Sequence, residues 1–169
     1  RLLRNSIEQP LVDPEEIDRR LDMVEELNEN IINREELREY LAPIYDLERL
    51  ISKISYRSAN PRDLVAFRQS LSMLPSIKYI LMTFEHSHLK QYGEELDDLK
   101  DICNLIQAAI EDEPPLAMRE GGIIREGYNE EIDKLRAAKR DGKEWLSELQ
   151  ETEKERTGIK NLRIKFNKV

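Results

Sequence analysis

The sequence has one cysteine, two histidines and one tryptophan in 169 residues, and aromatic side chains make up only 6% of it. Cys103 alone forms neither an internal disulfide nor a multi-cysteine zinc site, and its apolar neighbours Ile102 and Ile106 predict a buried thiol. No apolar run approaches the roughly 18 to 20 residues that cross a bilayer, and the N-terminus lacks a charged-then-apolar leader pattern. The expectation is a soluble, intracellular protein with no membrane partner. No G-x-x-x-x-G-K-[ST] phosphate loop occurs, so the Gly121-Gly122 pair reads as a turn. Apolar residues amount to 39%, which is lean for covering both faces of a sheet.

Charge and helical periodicity are abundant instead. Charged residues make up 37% of the chain, and 27 Lys+Arg stand against 35 Asp+Glu for a net charge of −8. The length allows one ordinary domain, or one and a fraction. Helix starts are explicit: Asp13-Pro14-Glu15-Glu16 and Asn60-Pro61-x-Asp63 each place a cap acceptor, a Pro at the first helical position and an acid at the third. Asn33 with Glu36 reads the same way, and Asp46 can cap a further helix.

Behind the caps lie apolar stripes at helical spacing: Ile17, Leu21, Val24, Leu27; Leu37, Tyr40, Leu41, Ile44; Leu47, Leu50, Ile51, Ile54; and Leu64, Phe67, Leu71, Leu74. Pro75 should kink or split the next stretch, where Ile77, Ile80, Leu81 and Phe84 resume the pattern. Leu96, Leu99, Ile102, Ile106 and Ile110 predict one more helix. Glu113-Pro114-Pro115 and Glu120-Gly121-Gly122 then break the chain, leaving Ile123-Ile124 as a short extended piece before Gly127.

From the plausible cap Asn129 to Thr157 runs a segment of about 29 residues, which as helix reaches roughly 43 Å at 1.5 Å per residue. Its stripe is Ile132, Leu135, Ala138, Trp145, Leu146 and Leu149, with Gly142 where a neighbour could approach or the helix bend; Gln150 to Arg156 are polar. So narrow a stripe calls for one antiparallel partner helix. After the helix stop Gly158, Leu162, Ile164 and Phe166 alternate with Arg163, Lys165 and Asn167, predicting a strand with one basic face. Lys160, Arg163, Lys165 and Lys168 give residues 159–169 a charge of +4, leaving −12 on the preceding 158 residues. The fold expectation is all-α: a multi-helix bundle with one long protruding helix and a short terminal β segment.

Sites for catalysis or metal are poorly supported. His86-Ser87-His88 lacks a third ligand and reads as a solvated loop, Cys103 has no local base, and neither Asp97-Asp98/Asp101 nor Glu111-Asp112-Glu113 has EF-hand spacing. No metal site and no catalytic residue is expected. The basic strand is the best binding candidate, since a row of cations can neutralise phosphates without reading bases; basic edge strands also serve merely to block sheet pairing.

Several segments resemble one family in order along the chain: Tyr45-Asp46-Leu47-Glu48-Arg49, Ser58-Ala59-Asn60-Pro61-Arg62-Asp63-Leu64, Arg119-Glu120-Gly121-Gly122-Ile123-Ile124, Gly127-Tyr128-Asn129 and Glu155-Arg156-Thr157-Gly158-Ile159-Lys160. Together with Leu2-Leu3-Arg4, Gln9-Pro10-Leu11, Glu113-Pro114-Pro115 and Phe166-Asn167-Lys168-Val169, they are similar to the MutS family of DNA mismatch repair proteins. The resemblance implies a helical core, or lever, domain over 1–127, and over 128–169 the long lever helix and the start of the clamp domain.

In that family the mismatch reader and the ATPase lie outside this region, so the resemblance implies no cofactor here, with ATP and Mg belonging to the parent protein. It implies double-stranded mismatched DNA, a second MutS subunit and a MutL-type protein as partners of the parent, and a cytoplasmic, nucleoid-associated location. DNA-backbone candidates are Lys160, Arg163, Lys165 and Lys168, and lever-helix packing falls to Ile132, Leu135, Trp145, Leu146 and Leu149. The core would act as a semi-rigid transmission element between nucleotide state and clamp. Two alternatives stand beside this: a MutS-like homologue in recombination or another repair route, and an acidic helical protein-interaction scaffold. Starting at Arg1 and stopping within a strand-like stretch, the chain reads as a piece of a longer protein, expected to self-associate through apolar surface meant for its missing parts.

Overall fold

A computed structural model describes residues 2–84 and 88–164. The helices are α1 (Leu2–Glu8), α2 (Pro14–Glu29), α3 (Ile31–Leu41), α4 (Leu47–Ser55), α5 (Pro61–Leu71), α6 (Leu74–Met82), α7 (His88–Glu95), α8 (Lys100–Ala109) and α9 (Glu130–Thr157). The chain divides into two compact units, Arg1–Ile124 and Arg125–Val169. No helix among the described residues is long and apolar enough to cross a membrane.

Cap chemistry explains where α2, α4, α5 and α9 begin. Asp13 accepts the Glu15 amide at 3.1 Å and Asp46 that of Arg49 at 3.0 Å. At α5 the box is reciprocal: Asn60 Oδ1 accepts the Asp63 amide at 2.8 Å while Asp63 Oδ2 accepts the Asn60 amide at 3.0 Å. Asp13 has no such return bond, because Glu16 turns along the helix toward Arg19 and Arg20. Pro75 splits its stretch as expected: α5 stops at Leu71 and α6 restarts with Pro75 in its first turn.

The first unit has two separate cores. One holds Leu50, Val65, Phe67, Leu71, Ile106 and Ile110, from α4, α5 and α8 with the residue that ends α8; the other holds Ile77, Ile80, Leu81, Phe84 and Leu89, covered by Met23, Leu27, Leu37 and Tyr40 from α2 and α3. In the second core α6 and α7 approach so closely at Gly93 that a Cβ there would lie 2.9 Å from the Leu81 Cβ. Arg19 of α2 stacks on the Tyr92 ring of α7 at 5.4 Å, tying a third helix to that pair.

Several expectations need correction. Helix α3 starts at Ile31, so Asn33 is inside it and its amide donates to the Thr83 hydroxyl at 3.1 Å instead of capping. The stripe from Leu96 to Ile110 is not one helix: α8 begins at Lys100 after Leu99, which adopts φ 47°, and Ile110 is extended. Periodicity is blind to this break, because Leu96 and Leu99 serve different cores. His88 opens α7 instead of lying in a polar loop, and His86 lies outside the described residues. Cys103 is half-buried against the first core while Ile102 is exposed. On α2 only Leu27 of the expected stripe packs, joined by Met23, while Leu21 and Val24 stay 60% and 63% exposed. Ile123 and Ile124 are extended as expected: Ile110 and Ile124 form an isolated antiparallel bridge, and the Glu111 amide donates to the Ile123 carbonyl at 2.9 Å.

The expected basic strand is not seen in its described part. Residues 159–164 hold a turn and irregular backbone, and residues 165–169, including Lys165 and Lys168, lie outside the described residues. A strand needs a neighbouring ladder for its amides. Here the Ile164 amide goes to the Gln150 side chain at 3.1 Å instead.

Candidate nucleic-acid interface

The second unit is built on α9, a helix of 28 residues whose two ends are chemically fixed. Asn129 Oδ1 accepts the amides of Glu131 and Ile132 at 3.0 and 3.1 Å, and Asp133 reaches back to accept the Gly127 amide at 2.8 Å. Glu130, Glu131 and Asp133 in the first turn and Lys154 and Arg156 in the last complement the helix dipole. At the far end Gly158 takes φ 71° and its amide closes on the Lys154 carbonyl at 2.9 Å. A left-handed residue with no Cβ is the usual way to stop a helix so abruptly.

No residue of α9 is buried within the chain. At 100° per residue, Ile132, Leu135, Trp145, Leu146 and Leu149 fall within an arc of about 140°. Leu135 is 70% exposed, Trp145 61% and Leu146 44%, while Ile132 and Leu149 are half-buried. Gly142 lies in the middle of that arc, and a Cβ built there meets nothing within 4 Å. The helix runs through it without a break, so Gly142 leaves a flat notch between Leu135 and Trp145 rather than a kink.

The polar end is knit by neighbouring charges, Glu151 with Lys154 and Glu153 with Arg156, each at 2.7 Å. Hydrogen bonds from those cations hold both carboxyls below their ordinary pKa, so these acids stay ionised. Beyond Gly158 the chain turns, with the Leu162 amide donating to the Ile159 carbonyl at 3.2 Å, and the Ile164–Gln150 bond directs it back along the helix. Lys160 and Arg163 are both exposed on this returning segment. Nothing in the sequence flags Gln150, which sits among seven polar residues and there reads as a solvated position.

Elsewhere the candidate chemistry disperses. Asp97 accepts the Leu99 amide, Asp98 pairs with Lys100, and Asp112 pairs with Arg68 at 2.7 Å, so the acid clusters are divided among separate structural tasks. The Cys103 thiol faces the Arg68 carbonyl at 3.8 Å. Among the described residues no group of three or more His, Cys, Asp or Glu could hold a metal ion. A groove of about 680 Å³ at the foot of α9 is lined by Glu126, Glu130 and Asp133 against Lys134, Arg136 and Arg140, a mixture that selects neither anions nor cations.

Comparison with known proteins follows the same lines. A family model described as MutS domain III matches residues 1–168. Over the whole chain, the sequence is 60% identical to the DNA mismatch repair protein MutS of Lachnoclostridium phytofermentans, 50% to that of Ruminiclostridium cellulolyticum and 51% to that of Caldanaerobacter subterraneus. It covers 18%, 19% and 19% of those proteins respectively, so it spans about a fifth of their length. With all but one residue matched by the domain model, the chain belongs to the MutS domain III family.

Proposed function

We propose that this segment is a non-catalytic connecting element of a MutS-type DNA mismatch repair protein, with residues 1–127 as the lever body and 128–169 as the long lever helix and the start of the DNA clamp. The observation that carries this reading is α9: a helix of 28 residues, capped at both ends, with an apolar arc and no buried residue. In folded proteins most of the stability of such a helix comes from packing its apolar face. Such an arc is suited to one long antiparallel neighbour, and a stiff pair of helices transmits displacement over a distance that a loop would absorb.

Lys160 and Arg163, with Lys165 and Lys168 beyond the described residues, are proposed as contacts to the DNA backbone. Mismatched DNA, a second MutS subunit and a MutL-type protein are the proposed partners of the whole protein, and ATP with Mg its proposed cofactors, bound outside this segment. Replacing Lys139 by Pro within α9 of the full-length protein tests the lever directly. ATP-triggered release from mismatched DNA should be lost while ATP turnover without DNA persists. Unchanged release would refute the lever reading.

A further inference from the structure

Residues 1–124 form one compact unit, whose helix pairings and cores fall into two groups, or lobes. Within one, α5 packs on α8 and α4 on α5; within the other, α6 packs on α7, α3 on α6, and α2 on both α3 and α7. These pairings stay inside one lobe or the other, and so do the buried residues of the two cores, while Leu74 of α6 reaches across to pack on the first core.

The chain crosses between lobes at three short links, and each link changes core within a few residues. Ile44 packs on the second core and Leu47 on the first; Leu71 is buried in the first core and Met73 packs on the second, after which Leu74 reaches back to the first; Leu96 packs on the second and Leu99 on the first. Each link is fixed locally. The Tyr45 amide donates to the fully buried Ser70 hydroxyl at 3.0 Å, and Lys78 donates to the Leu96 carbonyl at 2.7 Å. Leu99 holds φ 47°, a conformation that a non-glycine residue keeps only where its surroundings enforce it. An open cleft of about 450 Å³, lined by Pro43, Tyr45, Gln69, Ser72 and Met73, leaves one side of the crossing unfilled.

We propose that the body is two rigid lobes hinged along a line through residues 42–46, 72–73 and 96–99, with Lys78 anchoring the third link. Each lobe keeps a core of its own, so rotation about this line disturbs the contact that Leu74 makes across it, whereas bending within a lobe would open a packed interior. The chain leaves the body through Ile123 and Ile124, which pack on the first lobe, so that lobe carries the exit. This inference does not depend on the lever reading above.

Spin-label distance measurements on the full-length protein test it, in a background with Cys103→Ser and other native cysteines replaced. Glu48→Cys with Tyr79→Cys reports across the hinge, Glu48→Cys with Asp101→Cys within the first lobe, and Glu39→Cys with Tyr79→Cys within the second. The cross-hinge distribution should be about twice as broad as either within-lobe distribution, and Lys78→Met should broaden it further without altering the other two. A cross-hinge distribution as narrow as those within the lobes would overturn the hinge. A broad one that Lys78→Met leaves unchanged would overturn the role given to Lys78.

Discussion

Asp63 combines two tasks at the start of α5, returning the cap bond to Asn60 and pairing with Lys53 at 2.8 Å. The Lys53 hydrogen bond is the main reason its carboxyl titrates below the ordinary range, with the Asn60 amide second. Its contribution is therefore complete above the unfolded carboxyl value of about 3.9 and disappears as pH falls through the lower folded value. Asp63→Asn should cost about 1–2 kcal/mol at neutral pH in denaturant unfolding, a figure held down because 34% of the Lys53 side chain is open to water. The gap to wild type should close as pH drops below about 4. At Gly93 a methyl group has no room against Leu81, so Gly93→Ala should destabilise by about 1–3 kcal/mol despite its better helix propensity, which thermal melting would show. Lys160→Ala with Arg163→Ala in the full-length protein should weaken DNA binding evenly across sequences and reduce the log K against log salt slope by about 1 to 2. A slope identical to wild type would remove both residues from the interface.

At the scale of elements, four helix starts were readable from a short acceptor that precedes Pro or an acid, because that chemistry is local. Asp13, Asp46, Asn60 and Asn129 all cap as their spacing indicates. Asn33 misled because an Asn–Glu spacing has the same form inside a helix, and only the distant Thr83 hydroxyl reveals what it bonds. The apolar arc of α9 was likewise legible, but its exposure was not. If the arc packs only in the whole protein, Leu135→Ala should be nearly neutral in the 169-residue chain, where that side chain is 70% exposed, and cost about 2 kcal/mol or more in the full-length protein. Equal effects in the two, by parallel thermal unfolding, would argue against a helix seated there.

For the whole molecule, the apolar side chains left open on α2 and α9 set the expected behaviour in solution. Leu21, Val24, Leu135 and Trp145 each keep 60% or more of their surface in water. The 169-residue chain should therefore self-associate with increasing concentration despite its charge of −8, more strongly as salt screens that charge. Trp145→Lys should weaken the association in sedimentation velocity, and a monomer at all concentrations would show that these faces are too dispersed to pair.

Sequence alone determined the all-α class, the caps at Asp13, Asp46, Asn60 and Asn129, the Pro75 split, the break before Gly127 and the full run of α9, since each follows from backbone chemistry within a few residues. It also held the family resemblance, carried by ordered segments along the whole chain. Tertiary structure decided which part of each stripe is covered, that Leu96 and Leu99 separate two cores, and that the segment after Gly158 turns back to Gln150. The physical reason is common to all three: periodicity states that a face is apolar, whereas its partner is chosen by residues far away in the chain.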